Sequence, residues 1–332
     1  MDNTARPRVL SGMRPTGPLH LGHLTGALDN WVRLQDTYDC FYSVVDYHAL
    51  TTDYEDPSAI RENVIEVTLD WLAAGIDPAR SCVFIQSLVP EHAELHLLLS
   101  MTTPVAWLER VPTYKDVQAN LENRDLATYG FLGYPLLQTA DIIIYKANAV
   151  PVGEDQAPHI ELSREIVRRF NNFYGPVFPE PQTLLTPTPR TPGTDGRKMS
   201  KSYNNSIYLK DTEVQVRAKL KTMVTDPARQ RRTDKGDPAK CPVFDLHKAF
   251  STQETRDWAT QGCTTASIGC IECKAKLADH VLARIEPMRH KREELAARPD
   301  TVMDILREGS SRARVVAKDT IQEVHRAMKI AY

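Results

Sequence analysis

Apolar positions along the chain alternate between two periods. Residues 8–11 form a short apolar run, residues 13–18 are broken by proline and glycine, and Leu21, Leu24, Leu28, Trp31 and Val32 then recur at helical spacing. The pattern predicts strand, turn, helix. Residues 40–48, CFYSVVDYH, and 82–87, CVFIQS, are β-branched and aromatic and are expected as strands. Between them 59–75 predicts a helix that stops at Gly75. Residues 91–124 predict helices with a polar interruption, 131–145 an apolar helix, 148–156 a loop, and 160–171 another helix. Alternation of this kind implies α/β architecture, a Rossmann-like doubly wound parallel sheet whose ligands gather at the carboxyl ends of its strands.

Six prolines between Gly175 and Gly196 predict a stiff connector. The chain is therefore divided into an α/β domain, 1–190, and a mostly α-helical one, 191–332, closing with an amphipathic stretch over 317–332. Composition fits: 332 residues, 42% hydrophobic and 25% charged, are enough for one large core or two ordinary ones. No stretch is long and uncharged enough for a membrane span and the start has no signal-peptide core, so the expected address is cytoplasmic, where the six cysteines stay reduced.

The net charge of −2 hides an asymmetry. Residues 1–185 carry 13 Lys and Arg against 24 Asp and Glu, whereas 186–332 carry 28 against 19. A basic second half, with clusters at Arg229, Arg231, Arg232 and at Arg289, Lys291, Arg292, points to a polyanionic partner or to ordinary solvated helix faces.

Two short motifs carry the chemistry. In HLGH, His20 and His23 lie three apart, share a face of the first helical turn, and flank Gly22, which leaves room for a ligand. The free N–H groups of that turn favour an anion, so the motif is expected to seat a phosphate or nucleotide. In RKMSKS, 197–202, Lys198 and Lys201 offer two point charges on a loop that Gly193 and Gly196 are expected to let swing, suited to a departing pyrophosphate. The two motifs in this order resemble the HIGH and KMSKS signatures of the class I aminoacyl-tRNA synthetases. VLSGMRPTG, VVDYHALT, GYPLLQTADIIIY and VPVGEDQ extend the resemblance along nearly the whole chain, most closely to the tryptophanyl-tRNA synthetases of bacteria.

That resemblance implies an ATP- and Mg2+-dependent homodimer acting on L-tryptophan and tRNA(Trp), with a helical anticodon-binding domain. It implies that His20, His23, Lys198 and Lys201 are catalytic. Arg14, Gly22, His23, Gly153, Glu154 and Asp155 would bind ATP, together with Met199, Ser200 and Ser202 beside the two lysines. Asp141 would read the indole, whose N–H can only donate and so wants an acceptor in an apolar wall. Tyr134, Gln138 and Gln156 would hold the α-amino group, His48 the substrate's polar end, and Val150 and Val152 the ring. Gln138 stands where many bacterial relatives have methionine, and Gln-x-x-Asp is how tyrosyl enzymes read a phenol, so tyrosine is the rival substrate. A phosphate-holding lysine of the relatives is matched only by Lys115 as nearest counterpart.

Cys40 and Cys82 fall in strand candidates and are expected in the core. Cys241, Cys263, Cys270 and Cys273, spaced C-x21-C-x6-C-x2-C, are expected to hold a metal, zinc and a 4Fe-4S cluster both accepting four thiolates. The resemblance favours the cluster, since a subset of bacterial tryptophanyl enzymes carries nearly this spacing. A second reading of the whole chain is a non-catalytic RNA-binding iron-sulfur sensor, against which the intact HLGH and KMSKS argue.

Overall fold

A computed structural model describes residues 6–111, 127–185 and 191–332. The first half builds a five-stranded parallel sheet in the order β3-β2-β1-β4-β5, from β1 (Arg8–Met13), β2 (Asp39–Val44), β3 (Ser81–Ile85), β4 (Ala149–Val152) and β5 (Gln182–Leu185). Register runs Arg8 with Asp39 and Cys40 with Ser81, and on the other side Ala149 with Gln182. The strand order reverses at β1, whose neighbours are β2 and β4, so the crevice of the sheet opens beyond Met13 and Val152.

The sheet is wrapped by helices. After β1 come α1 (Leu21–His23), a π-helical turn over Leu24–Leu28 and α2 (Asp29–Leu34). Then follow α3 (Asp46–Asp53), α4 (Ile60–Ala74), α5 (Glu91–Ser100), α6 (Val105–Glu109), α7 (Tyr129–Leu132), α8 (Tyr134–Ile143) and α9 (Ala157–Tyr174). Gly75 ends α4 at φ +113°, the left-handed cap its position predicts. The later part is helical: α10 (Glu213–Thr222), α11 (Pro242–Phe250), α12 (Gln253–Thr265), α13 (Cys270–Ala296) and α14 (Pro299–Ala327). Among the described residues no helix is long and apolar enough to cross a membrane.

Four expectations change. The loop expected at 148–156 contains β4, and the proline-rich stretch contains β5. The strand expected to reach His48 ends at Val44, and Asp46 starts α3, which turns His48 back toward the sheet. Nor do the prolines separate two cores. Leu21, Leu24 and Trp71 share one cluster with Leu277, Val281 and Ile285, while Phe84 and Tyr145 share another with Ala313, Ala317 and Ile321.

That second cluster explains the C-terminal helix. Gly309 of α14 lies so close to β3 that a Cβ there would stand 1.8 Å from the Val83 carbonyl oxygen. The Ile85 N–H donates to Ser310 Oγ at 3.2 Å, and Arg312 Nη2 donates to the Ser81 carbonyl at 3.1 Å. Side chains of α14 thus satisfy the edge of β3, which no strand among the described residues covers. Cys40 and Cys82 are core residues, as expected.

Candidate active site

The backbone ties the two motifs together. His20 forms an antiparallel bridge with Tyr208, Leu21 N–H donates to the Ile207 carbonyl at 3.0 Å, and Leu209 N–H to the Leu19 carbonyl at 2.9 Å. The segment that follows RKMSKS therefore runs alongside the approach to HLGH. Between them opens a cleft of about 1220 Å³ lined by His20, Gly22, His23, Lys198, Met199, Ser200, Lys201 and Ser202.

The histidines act differently from expectation. Gly22 N–H donates to His20 Nδ1 at 3.1 Å, and the His20 N–H to His23 Nδ1 at 3.2 Å. The free N–H groups expected to seat an anion are thus spent inside the turn. Burial, with Lys201 adding to it, pushes His20 down to about 4; burial, then His20 and Lys201, push His23 to about 2. Both rings are neutral near pH 7, and with each Nδ1 accepting, the proton sits on Nε2. The donors left for a ligand are these Nε2–H groups.

Lys201 reaches across the cleft. Its Nζ donates to the Thr16 carbonyl at 2.9 Å, Thr16 Oγ1 at 3.2 Å and the Gly17 carbonyl at 2.8 Å, and burial lowers its pKa to about 8. Lys198 is exposed. The loop carrying both is pinned by Asn205: Ser200 N–H donates to its Oδ1 at 2.8 Å, while its Nδ2 donates to Asp195 Oδ1 at 2.7 Å and the Lys198 carbonyl at 3.2 Å. Gly193 is not a swivel. A Cβ there would meet Asn205 Cγ at 2.2 Å, so its small size lets the latch close; Gly196, at φ +82°, makes the turn.

A second cavity, of about 750 Å³, opens at the sheet's switch point and shares Thr16, Asp53 and Ser202 with the cleft. His48, Tyr134, Gln138, Asp141 and Gln156 line it, with Val150 and Val152 on one wall and Arg14 and Gly153 toward the cleft. Arg14 bonds Thr52 and pairs with Asp53 at 3.6 Å. Glu154 is exposed and, with Asp155, belongs to the 3-10 turn Glu154–Gln156. Lys115 lies outside the described residues.

Asp141 is buried and fully engaged. His48 Nε2 lies 2.9 Å from Oδ2, His92 Nδ1 2.6 Å from Oδ1, and Gln86 Nε2 donates to both oxygens at 2.8 Å. His92 Nε2 in turn meets Tyr145 Oη at 2.7 Å. Burial pushes the carboxyl up, but His92 and His48 together hold it well below the ordinary carboxylate range. His48, expected at the substrate's polar end, lines the cavity and is also bonded to this carboxylate. Gln86 and His92 were not anticipated, for nothing local in EHAELHLLL marks one histidine as the partner of a residue 49 positions away.

The four later cysteines come into one neighbourhood. Burial, then the charges of Cys241, Cys263 and Cys270, raise Cys273 to about 12. Its Sγ lies 3.3 Å from His247 Nε2. Yet among the described residues no group of three or more His, Cys, Asp or Glu is arranged to hold a metal ion. The four-thiolate centre expected from the spacing is thus not shown by this geometry.

A parallel sheet whose switch point opens onto paired imidazoles, with a lysine loop folded over them, defines the catalytic body of a class I aminoacyl-tRNA synthetase. The chain belongs to the family of tRNA synthetases class I (W and Y), whose profile matches residues 2–286. Within it the chain is 53% identical to the tryptophan-tRNA ligase of Thermotoga maritima, over 98% of this chain and 100% of that one. It is 47% identical to that of Ralstonia nicotianae, over 98% and 99%. In structure it is similar to a tryptophanyl-tRNA synthetase from Campylobacter jejuni solved with ADP and tryptophan, at TM-score 0.88 and 32% identity, over 97% of this chain and 99% of that one.

Proposed function

We infer that the chain is a tryptophan-tRNA ligase: it activates L-tryptophan with ATP, releasing pyrophosphate, and transfers the tryptophanyl group to the terminal adenosine of tRNA(Trp). One observation carries the reading: a triphosphate-sized cleft bordered by two neutral imidazoles and Lys201 is continuous with a pocket ending at the acceptor-only Asp141. In the first step a substrate carboxylate oxygen bonds the α-phosphorus, and the bond to the bridging oxygen of pyrophosphate breaks. The Nε2–H groups of His20 and His23 steady the α-phosphate oxygens, and Lys201 and Lys198 the charge gathering on the leaving group. Mg2+, carried in on the triphosphate, supplies further charge neutralisation.

We assign the ring to the walls of Val150 and Val152, its N–H to Asp141 in exchange for one of the two Gln86 bonds, and the amino group to Tyr134, Gln138 and Gln156. Gly153, Glu154 and Asp155 are assigned to the ribose, and Arg14, Gly22, Met199, Ser200 and Ser202 to the rest of the nucleotide. The helical segment from 191 onward takes the tRNA, consistent with its excess of Lys and Arg. The enzyme works as a homodimer, supported by the exposed apolar side chains Leu97, Met101, Val105 and Tyr129 on α5 to α7. Tryptophan-dependent exchange of pyrophosphate into ATP is the test: exchange with tryptophan and not tyrosine is expected, and the reverse overturns the reading.

We further propose that Cys241, Cys263, Cys270 and Cys273 gather around a 4Fe-4S cluster, with Zn2+ as the alternative. Support comes from the donor set and from the electrostatic proximity of Cys273 to the other three. Protein purified anaerobically is expected to bind iron and sulfide in equal amounts; zinc alone selects the alternative, and neither metal removes the proposal.

A further inference from the structure

An acid in the apolar stripe of α4 has no part in the chemistry above. Asp70 has 0% of its surface exposed, although Val67 and Trp71 on either side of it are core residues. A buried carboxylate needs partners for both oxygens. Oδ2 accepts the Leu19 N–H at 2.6 Å, and Oδ1 accepts Arg292 Nε at 2.8 Å. Leu19 is the residue before His20. Arg292 stands on α13, in the helical half of the chain, and is itself buried.

The pair sits within a larger fork. Arg292 Nη2 also donates to Glu66 Oε2 at 2.7 Å, and Lys210 Nζ donates to the same oxygen at 3.0 Å. Glu66 and Asp70 lie one helical turn apart on α4, so one face of that helix receives a cation from α13 and another from the strand-like segment after RKMSKS. Leu19 is held on its other side as well, its carbonyl accepting Leu209 N–H at 2.9 Å. Burial raises Asp70 to about 6, and Arg292 is the strongest influence pulling it back. Without that guanidinium the carboxyl takes up a proton and its grip on the Leu19 N–H weakens.

We propose that Arg292 is a positioning residue for adenylate formation: through Asp70 it fixes the backbone that enters the HLGH turn, and so makes the placement of His20 and His23 depend on where the helical half sits. The imidazoles must meet phosphate oxygens within hydrogen-bond reach, and the turn they occupy has no spare N–H group to substitute for them. The proposal rests on the tryptophan-activating role given above.

The test is pyrophosphate exchange in the wild-type enzyme, in R292Q, in D70N and in the double variant. Each single change is expected to lower kcat about 10- to 100-fold while leaving the tryptophan KM within about two-fold, since the ring pocket is untouched. The double variant removes both charges and leaves neither unpaired, so it is the one expected to fold even where a single variant melts. Its kcat should fall no further than that of the weaker single variant, as for residues acting through one contact. Wild-type kcat in a folded double variant, losses that multiply, or a tryptophan KM that rises in step with the loss of kcat would each overturn the proposal. Tryptophan-dependent exchange in the wild-type control keeps the functional reading separate; its absence would remove both.

Discussion

The nucleotide cleft and the ring pocket adjoin, yet they are built on opposite plans. Among the described residues, the polar network around Asp141 at the ring pocket is drawn from the first 145 residues: His48, Gln86, His92, Asp141 and Tyr145. The cleft is assembled across more than 180 residues, from a turn and a loop held by single side chains, Lys201 on Thr16 and Gly17, Asn205 on Ser200 and Asp195. The first is a saturated network in which each group fixes the next. The second is a set of latches. A closed network suits discrimination between similar rings, because any substitute strands a buried partner; latches suit a site that must admit ATP and release pyrophosphate.

The sharpest way to break this contrast is Lys201→Ala. Loss of its charge is expected to lower exchange by roughly 100- to 1000-fold, the cost of removing one donor from a developing anion, with tryptophan binding unchanged by calorimetry. An equal loss of tryptophan affinity would mean that the two sites are one network. Next comes Asp141→Asn. It places an amide where His48, His92 and Gln86 all donate, leaving at least one donor unmatched at a cost of ~1–3 kcal/mol, so tryptophan kcat/KM should fall roughly 10- to 100-fold. Here the loss should appear in tryptophan and not in ATP.

Gly193→Ala addresses the latch itself. Its Cβ would overlap Asn205, and displacement of the loop is expected to slow exchange about ten-fold. The smallest effect is in the pH profile. Lys201, lowered to about 8, must be charged, so kcat/KM for ATP at saturating Mg2+ should hold below pH 8 and fall above it. His20, lowered to about 4, and His23 stay neutral over that range, so no acid limb should appear near 6.5. For stability the sign is that of lowered histidines: their contribution is complete above about 6.5 and is lost as acidity approaches their folded values. An acid limb in activity near 6.5 would mean that an imidazolium, not an imidazole, serves the phosphate.

What the sequence made legible divides along the same line. HLGH and RKMSKS are local strings whose chemistry is carried by neighbours in the chain, and the structure places both on one cleft. The apolar periods also located β1, β3, α4 and α9 closely. β4 and β5 were hidden by proline, which local reading counts as a breaker. β4 meets β1 only where Val9 pairs with Ala149, and a proline two residues further on costs that ladder little. Gln86, His92, Asn205 and Asp70 were illegible for another reason. Each draws its role from a partner in a different element, and no spacing in a single chain encodes such a meeting. The cysteine spacing is a clear string whose sulfurs the fold brings near one another, as the influence of Cys241, Cys263 and Cys270 on Cys273 shows.

The contact between Gly309 and the Val83 carbonyl also bears on how the protein is made. A ribosome releases β3 more than 200 residues before it releases the helix that seals it, so a growing chain carries a finished sheet with one raw margin for most of its synthesis. Loss of the last thirty or so residues would spare every group in both cavities and still leave that margin free to recruit a stranger.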